Sequence, residues 1–97
     1  MSPVINPKLP ISLGLEVRYD RAFLSDLKNL DPVAFHVVQR FVFEQFYAIH
    51  QLTELPKLHR IRNSDIFYRF TLDRHLIAIE VTGQIVKFLR VLPIPQI

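Results

Sequence analysis

Apolar residues recur along this chain in two rhythms, and the change comes near Leu55-Pro56. Ahead of the helical part, Leu13 to Tyr19 alternates: Leu15, Val17 and Tyr19 share one face and Glu16 and Arg18 the other, the pattern of a half-buried strand. Asp20 then offers a helix N-cap, and Phe23, Leu24, Leu27 and Leu30 form one stripe of a short helix from Arg21. Asp31-Pro32 is a second start signal, an N-cap followed by proline at the first helical position. The spacing predicts a helix from Pro32 to about Leu52, with Ala34, Val37, Val38, Phe41, Val42, Ala48, Ile49 and Leu52 on one broad arc. Gln45 falls in the middle of that arc and calls for a buried partner.

Beyond Leu55-Pro56 the period shortens to two. Strands are predicted at Leu58–Arg62, Ile66–Leu72, His75–Val81 and Gln84–Val91, separated by turn residues at Asn63-Ser64-Asp65, Asp73-Arg74 and Thr82-Gly83. Ile66, Tyr68, Phe70 and Leu72 oppose Phe67, Arg69 and Thr71; Ile77, Ile79 and Val81 oppose Leu76, Ala78 and Glu80. In the last strand Ile85, Lys87, Leu89 and Val91 oppose Val86, Phe88, Arg90 and Leu92. Glu80 is expected to pair with Lys87 or Arg90 across the Thr82-Gly83 hairpin. Strand, helix, helix and then three or four antiparallel strands make a two-layer α+β domain, a helical hairpin on a mainly antiparallel sheet. The first strand must find its partner in the Leu58–Leu92 sheet. Pro3, Pro7 and Pro10 make residues 1–12 an extended arm, with the domain itself running from 13 to 97.

Composition narrows the class. The 97 residues are 49% hydrophobic and 22% charged, which suits one globular domain. With no cysteine there is neither a disulfide framework nor a thiolate zinc site. The histidines lack metal-ligand spacing, so no metal and no cofactor are expected. No apolar run reaches the length of a membrane span, and the first residues do not read as a secretory signal, so a cytoplasmic protein away from membranes is expected. The net charge is +3, and seven of the twelve Lys and Arg residues lie between Lys57 and Arg90. That concentration favours an anionic partner. On the polar side of the long helix, Phe43 and Tyr47, with Phe35 and Phe46 at its edge, form a candidate patch for a partner chain.

The order of elements, with particular residues in place, resembles the RelE/ParE superfamily of type II toxins. Phe23, Asp26, Leu27 and Leu30 fit its F-x-x-D-L-x-x-L helix. Ile61-Arg62-Asn63 followed by Tyr68-Arg69-Phe70 resembles its L-R-G turn and the strand after it, with Asn63 expected to take the left-handed backbone of the usual glycine. Ile85 to Leu92 resembles the closing strand. The likeness runs from about Leu15 to Leu92. It implies a toxin that represses translation by metal-independent mRNA cleavage, many such toxins acting on the ribosome, with a cognate antitoxin as partner and a homo-oligomer as a further option. Basic groups stabilise the phosphorane in that chemistry. Arg69 matches the basic position after the aromatic, and Arg62, Arg74 and His75 complete the candidate catalytic set. Lys57, Arg60, Lys87 and Arg90 are candidates for RNA contact. Thr71, Leu76 and Pro93-Ile94 stand where the family carries further basic or proton-transferring groups. Two other readings follow from those departures: a ParE-like gyrase poison, or a protein-interaction module that kept the fold.

Overall fold

A computed structural model describes residues 16–49 and 51–95. The arm at 1–12, the Leu13–Leu15 start of the first expected strand, His50 and the last two residues lie outside that range. The order is β1 (Glu16–Tyr19), α1 (Arg21–Lys28), α2 (Pro32–Phe43), two short 3₁₀ turns (Gln45–Ala48 and Leu52–Glu54), β2 (His59–Arg60), β3 (Phe67–Leu72), β4 (His75–Thr82) and β5 (Ile85–Pro93). The strands form one sheet in the order β1-β5-β4-β3-β2. β1 lies parallel to β5, with Glu16 opposite Ile85, and every other pairing is antiparallel. The first strand thus finds its partner at the far end of the chain, and the expected two-layer α+β architecture is observed.

Both helix starts form as their residues dictate. The Asp20 carboxylate accepts from the Ala22 N–H at 3.3 Å, and that of Asp31 accepts from the Ala34 N–H at 2.9 Å, with Pro32 opening α2. The second helix does not run to Leu52: α2 ends at Phe43 and the chain breaks at Glu44. A 21-residue helix would be about 31 Å long, whereas a six-residue strand such as β3 spans about 20 Å. The extra turns would overhang the sheet. Breaking at Glu44 folds Phe46, Leu52 and Leu55 back onto the core, where all three are buried. Phe46 is therefore a core residue with no exposed surface, and not part of a partner patch. Gln45 is exposed and needs no buried partner.

Tyr68, Phe70, Ile77, Ile79, Val81, Val86 and Phe88 face the helices and build the core with Phe23, Leu27, Val38 and Val42. In β5 the alternation slips. Ala78 pairs with Arg90 and Ile79 with Phe88, so Leu89 is an extra residue in a β-bulge. Strict alternation put Leu92 with Val86 and Phe88; the bulge instead sends Val91 into the core and turns Leu92 to the open face.

β5 is longer than β1, which leaves its outer edge open beyond Phe88. Asp26 of α1 closes it. Its carboxylate accepts from the Val91 N–H at 3.1 Å and from Arg90 Nε and Nη2 at 2.6 and 3.0 Å. The Arg90 bonds foremost, with help from the Val91 N–H and against the pull of burial, hold this carboxyl below its ordinary value of 3.8. A depressed folded-state pKa adds stability above the unfolded value, and that stability is lost as the pH falls through the folded one. Asp26→Asn is expected to destabilise the domain at neutral pH by about 1–3 kcal/mol, the cost of poorly satisfied donors at a strand edge. The deficit should shrink below about pH 4. Denaturant melts of both proteins across pH 2–7 measure it.

Candidate functional site on the open face of the sheet

The helices cover one face of the sheet, and the other carries the candidate chemistry. Arg69 stands in β3 with an exposed side chain, between core residues Tyr68 and Phe70. Register sets a row across the open face: His59 in β2, Arg69, Ala78 in β4 and Arg90 in β5. Directly opposed Cβ atoms in antiparallel strands lie about 4.5–5.5 Å apart, so His59 and Ala78 are the cross-strand neighbours of Arg69 on this face. The next row holds Thr71, Leu76 and Leu92. The Pro56 carbonyl accepts from the Thr71 N–H at 2.9 Å, bringing Lys57 to the edge of the same face.

Two concavities meet at Arg69. A groove of about 550 Å³ is lined by Lys57, His59 and Arg69 on its basic side and by Leu76, Leu92 and Pro93 to Pro95 on its apolar side. An adjoining hollow of about 340 Å³ is lined by Arg60, Ile61, Arg62, Arg69 and Leu76. Arg60 is tied to Asp65 at 3.3 Å. Among the described residues, no carboxylate lies within ion-pair distance of Lys57, Arg62 or Arg69. These cations are free to meet an anion.

The structure separates the other sequence candidates from this centre. Arg74 is exposed at the β3–β4 turn, where its carbonyl accepts from the Ile94 N–H at 2.9 Å, and it lines neither concavity. His75 has the strand parity of Ile77 and Ile79, on the helix side, and lines a smaller groove with Asp26, Asn29 and Asp31. Arg90 begins in the Arg69 row, but its guanidinium is held by Asp26, which raises its pKa further. Lys87 lies on the open face beyond the groove, opposite Glu80 in β4 and Arg18 in β1. Among the described residues Glu80 forms no ion pair with Lys87 or Arg90. His59 lies outside the catalytic set expected from sequence; its place beside Arg69 depends on a two-residue strand that alternation alone does not align.

The aromatic candidates also divide. Phe43 is 38% exposed and Tyr47 50%. Both meet Tyr19 of β1: the Phe43 and Tyr19 rings are 4.7 Å apart, and the two tyrosine hydroxyls are hydrogen-bonded at 3.0 Å. Burial first, and then the Tyr47 bond, push the Tyr19 phenol above its ordinary range, so it stays protonated. Phe35 is half-buried against the core. The exposed aromatic surface is thus Phe43 and Tyr47, backed by Tyr19.

No protein-family model matches the chain, and no curated protein matches it significantly. Solved structures do. The RelB–RelE antitoxin–toxin complex of Methanococcus jannaschii contains a chain with TM-score 0.64 and 24% identity, over 78% of this chain and 88% of that one. In the RelBE2 toxin–antitoxin complex of Mycobacterium tuberculosis the TM-score is 0.65 at 18% identity, over 84% and 99%. For the E. coli DinJ–YafQ complex the values are 0.55 and 13%, over 82% and 93%. The class so defined is a two-layer α+β fold found among toxins of toxin–antitoxin complexes. Within it, this chain has the RelE-like toxin fold. None of its described helices is long and apolar enough to cross a membrane.

Proposed function

We propose that this chain is the toxin of a toxin–antitoxin pair and represses translation by metal-independent cleavage of mRNA. The observation that carries the reading is the exposed Arg69 where the two concavities of the open face meet, with no ion pair among the described residues and with His59 opposite it. In the proposed reaction the ribose 2′-oxygen attacks the adjacent phosphorus and the bond to the leaving 5′-oxygen breaks. The products are a 2′,3′-cyclic phosphate and a 5′-hydroxyl. The His59 imidazole takes the 2′-OH proton. Arg69 meets the charge that grows on the phosphorane oxygens. The leaving oxygen is protonated from solvent, because Leu76, Leu92, Pro93 and Ile94 on that side of the groove carry no acidic side-chain group.

His59→Gln is expected to slow cleavage about 10²–10⁴-fold, with an unchanged melting temperature. The assay is purified protein with programmed ribosomes and end-labelled mRNA. Intact mRNA with the unaltered protein rejects the reading; growth arrest on expression with mRNA intact points instead to a binding mode of action. The antitoxin is the proposed partner, and Phe43 and Tyr47 are the aromatic surface proposed to meet it. Phe43→Asp is expected to weaken that complex in co-purification.

A further inference from the structure

Three described non-glycine residues have left-handed backbone: Lys57 at φ 53°, Arg62 at φ 50° and Asp73 at φ 54°. Asp73 sits at the tip of the β3–β4 hairpin, a residue type that tolerates this region. Lys57 and Arg62 have no such tolerance, and their side chains make each position less favourable than glycine would be there. The left-handed place expected at Asn63 is taken by Arg62 instead. They bracket β2 on either side. Lys57 follows Pro56 in a turn that calls for glycine or asparagine at its place. Arg62 opens the turn closed by Ser64 N–H to the Ile61 carbonyl at 3.1 Å, and Ser64 Oγ in turn accepts from the Ile66 and Phe67 N–H groups at 3.1 and 3.0 Å. None of these bonds uses the lysine or arginine side chain.

What those side chains do is line the site. Lys57 borders the groove on one side of Arg69, and Arg62 borders the hollow on the other. Arg60, between them in sequence, is occupied by Asp65. Lys57 and Arg62 are five positions apart, a span of up to about 17 Å if extended and more than one phosphate covers. We infer that Lys57 and Arg62 are positioning residues that grip the phosphates flanking the one at Arg69, so that the site takes a single RNA strand with at least three consecutive phosphates. The left-handed backbone at each end of β2 sets the two cations to either side of the reacting group. The inference rests on the reading that the open face takes RNA.

The test is binding of a 2′-O-methyl hexaribonucleotide, which cannot be cleaved at its modified riboses, across a salt series. The proteins are the unaltered chain, Lys57→Gly, Arg62→Gly and, as a control outside both concavities, Arg74→Ala. Each glycine variant is expected to lower the slope of log affinity against log salt by about 0.7, the value for one cation on a single strand. Each should melt at the same temperature or higher. Arg74→Ala should leave the slope unchanged, and a dinucleotide should not distinguish the glycine variants from the unaltered chain. If a glycine variant unfolds, Lys57→Asn and Arg62→Asn replace it. Unchanged slopes in the glycine variants, or an equal fall in Arg74→Ala, overturn the inference, and continued cleavage of ribosome-bound mRNA by the unaltered protein then leaves the proposed function standing. An unaltered protein that neither binds the hexamer nor cleaves mRNA overturns both.

Discussion

Arg69→Ala is expected to lower mRNA cleavage by about 10²–10³-fold, the usual loss when one preorganised stabiliser of transition-state charge is removed. The physical case is one of position. Arg69 is flanked in β3 by Tyr68 and Phe70, both buried, so the strand cannot slip without exposing the core. Its neighbours across the open face are His59 and Ala78, the second too small to crowd the guanidinium. No carboxylate competes for it among the described residues. The truncation touches no core atom, so the melting temperature should move by no more than an ordinary surface change allows, about 0.5 kcal/mol in stability. Arg69→Lys is expected to recover part of the activity, because a point charge remains but the two-pronged geometry is lost. Single-turnover cleavage with saturating protein, beside a thermal melt, separates lost chemistry from lost fold. Full activity in Arg69→Ala removes this residue from the mechanism.

Phe46→Ala is expected to cost about 3–5 kcal/mol, against a total of about 5–15 kcal/mol for a typical domain. The ring is fully buried and meets Phe88 edge-on, with centroids 5.1 Å apart. It joins the segment after α2 to the strand that pairs with both β1 and β4, so the cavity left by alanine lies between layers. A loss of that size lowers the melting temperature by more than about 12 °C. Phe43→Ala, one turn away and partly exposed, should cost far less. A chemical-denaturation series on both variants checks the contrast. Similar small losses in the two would place Phe46 on the surface and contradict its burial.

Much of the fold was legible because the two hydrophobic periods are clean. Asp20 and Asp31-Pro32 marked both helix starts, and each cap forms. The core faces of β3 and β4 followed from alternation alone, and the turns at Asp73-Arg74 and Gly83 lie where their residues placed them. The C-terminal half of the second helix was not legible. Its sequence keeps a helical rhythm through Leu52, and nothing local signals the break at Glu44. The same limit applied to β5, where an unbroken run from Ile85 to Leu92 hides the bulge that moves Val91 and Leu92 to opposite faces.

The candidate site divides in the same way. Arg69 was marked by its own strand, since a cation between two aromatics in an alternating run has one face available to it. The company it keeps was decided elsewhere. His59 joins it through the pairing of β2 with β3, while His75 and Arg90 are carried off, one by strand parity and one by an ion pair to a helix 64 residues earlier. By itself the sequence determined the order of helices and strands, the two helix caps, the core faces of β3 and β4 and the outward place of Arg69, all consequences of short-range geometry and side-chain polarity. Only the tertiary structure decided where α2 stops, which cations are free and which residues stand beside Arg69. Those outcomes depend on burial and pairing between segments far apart in the chain, where layer size and strand register override the local pattern.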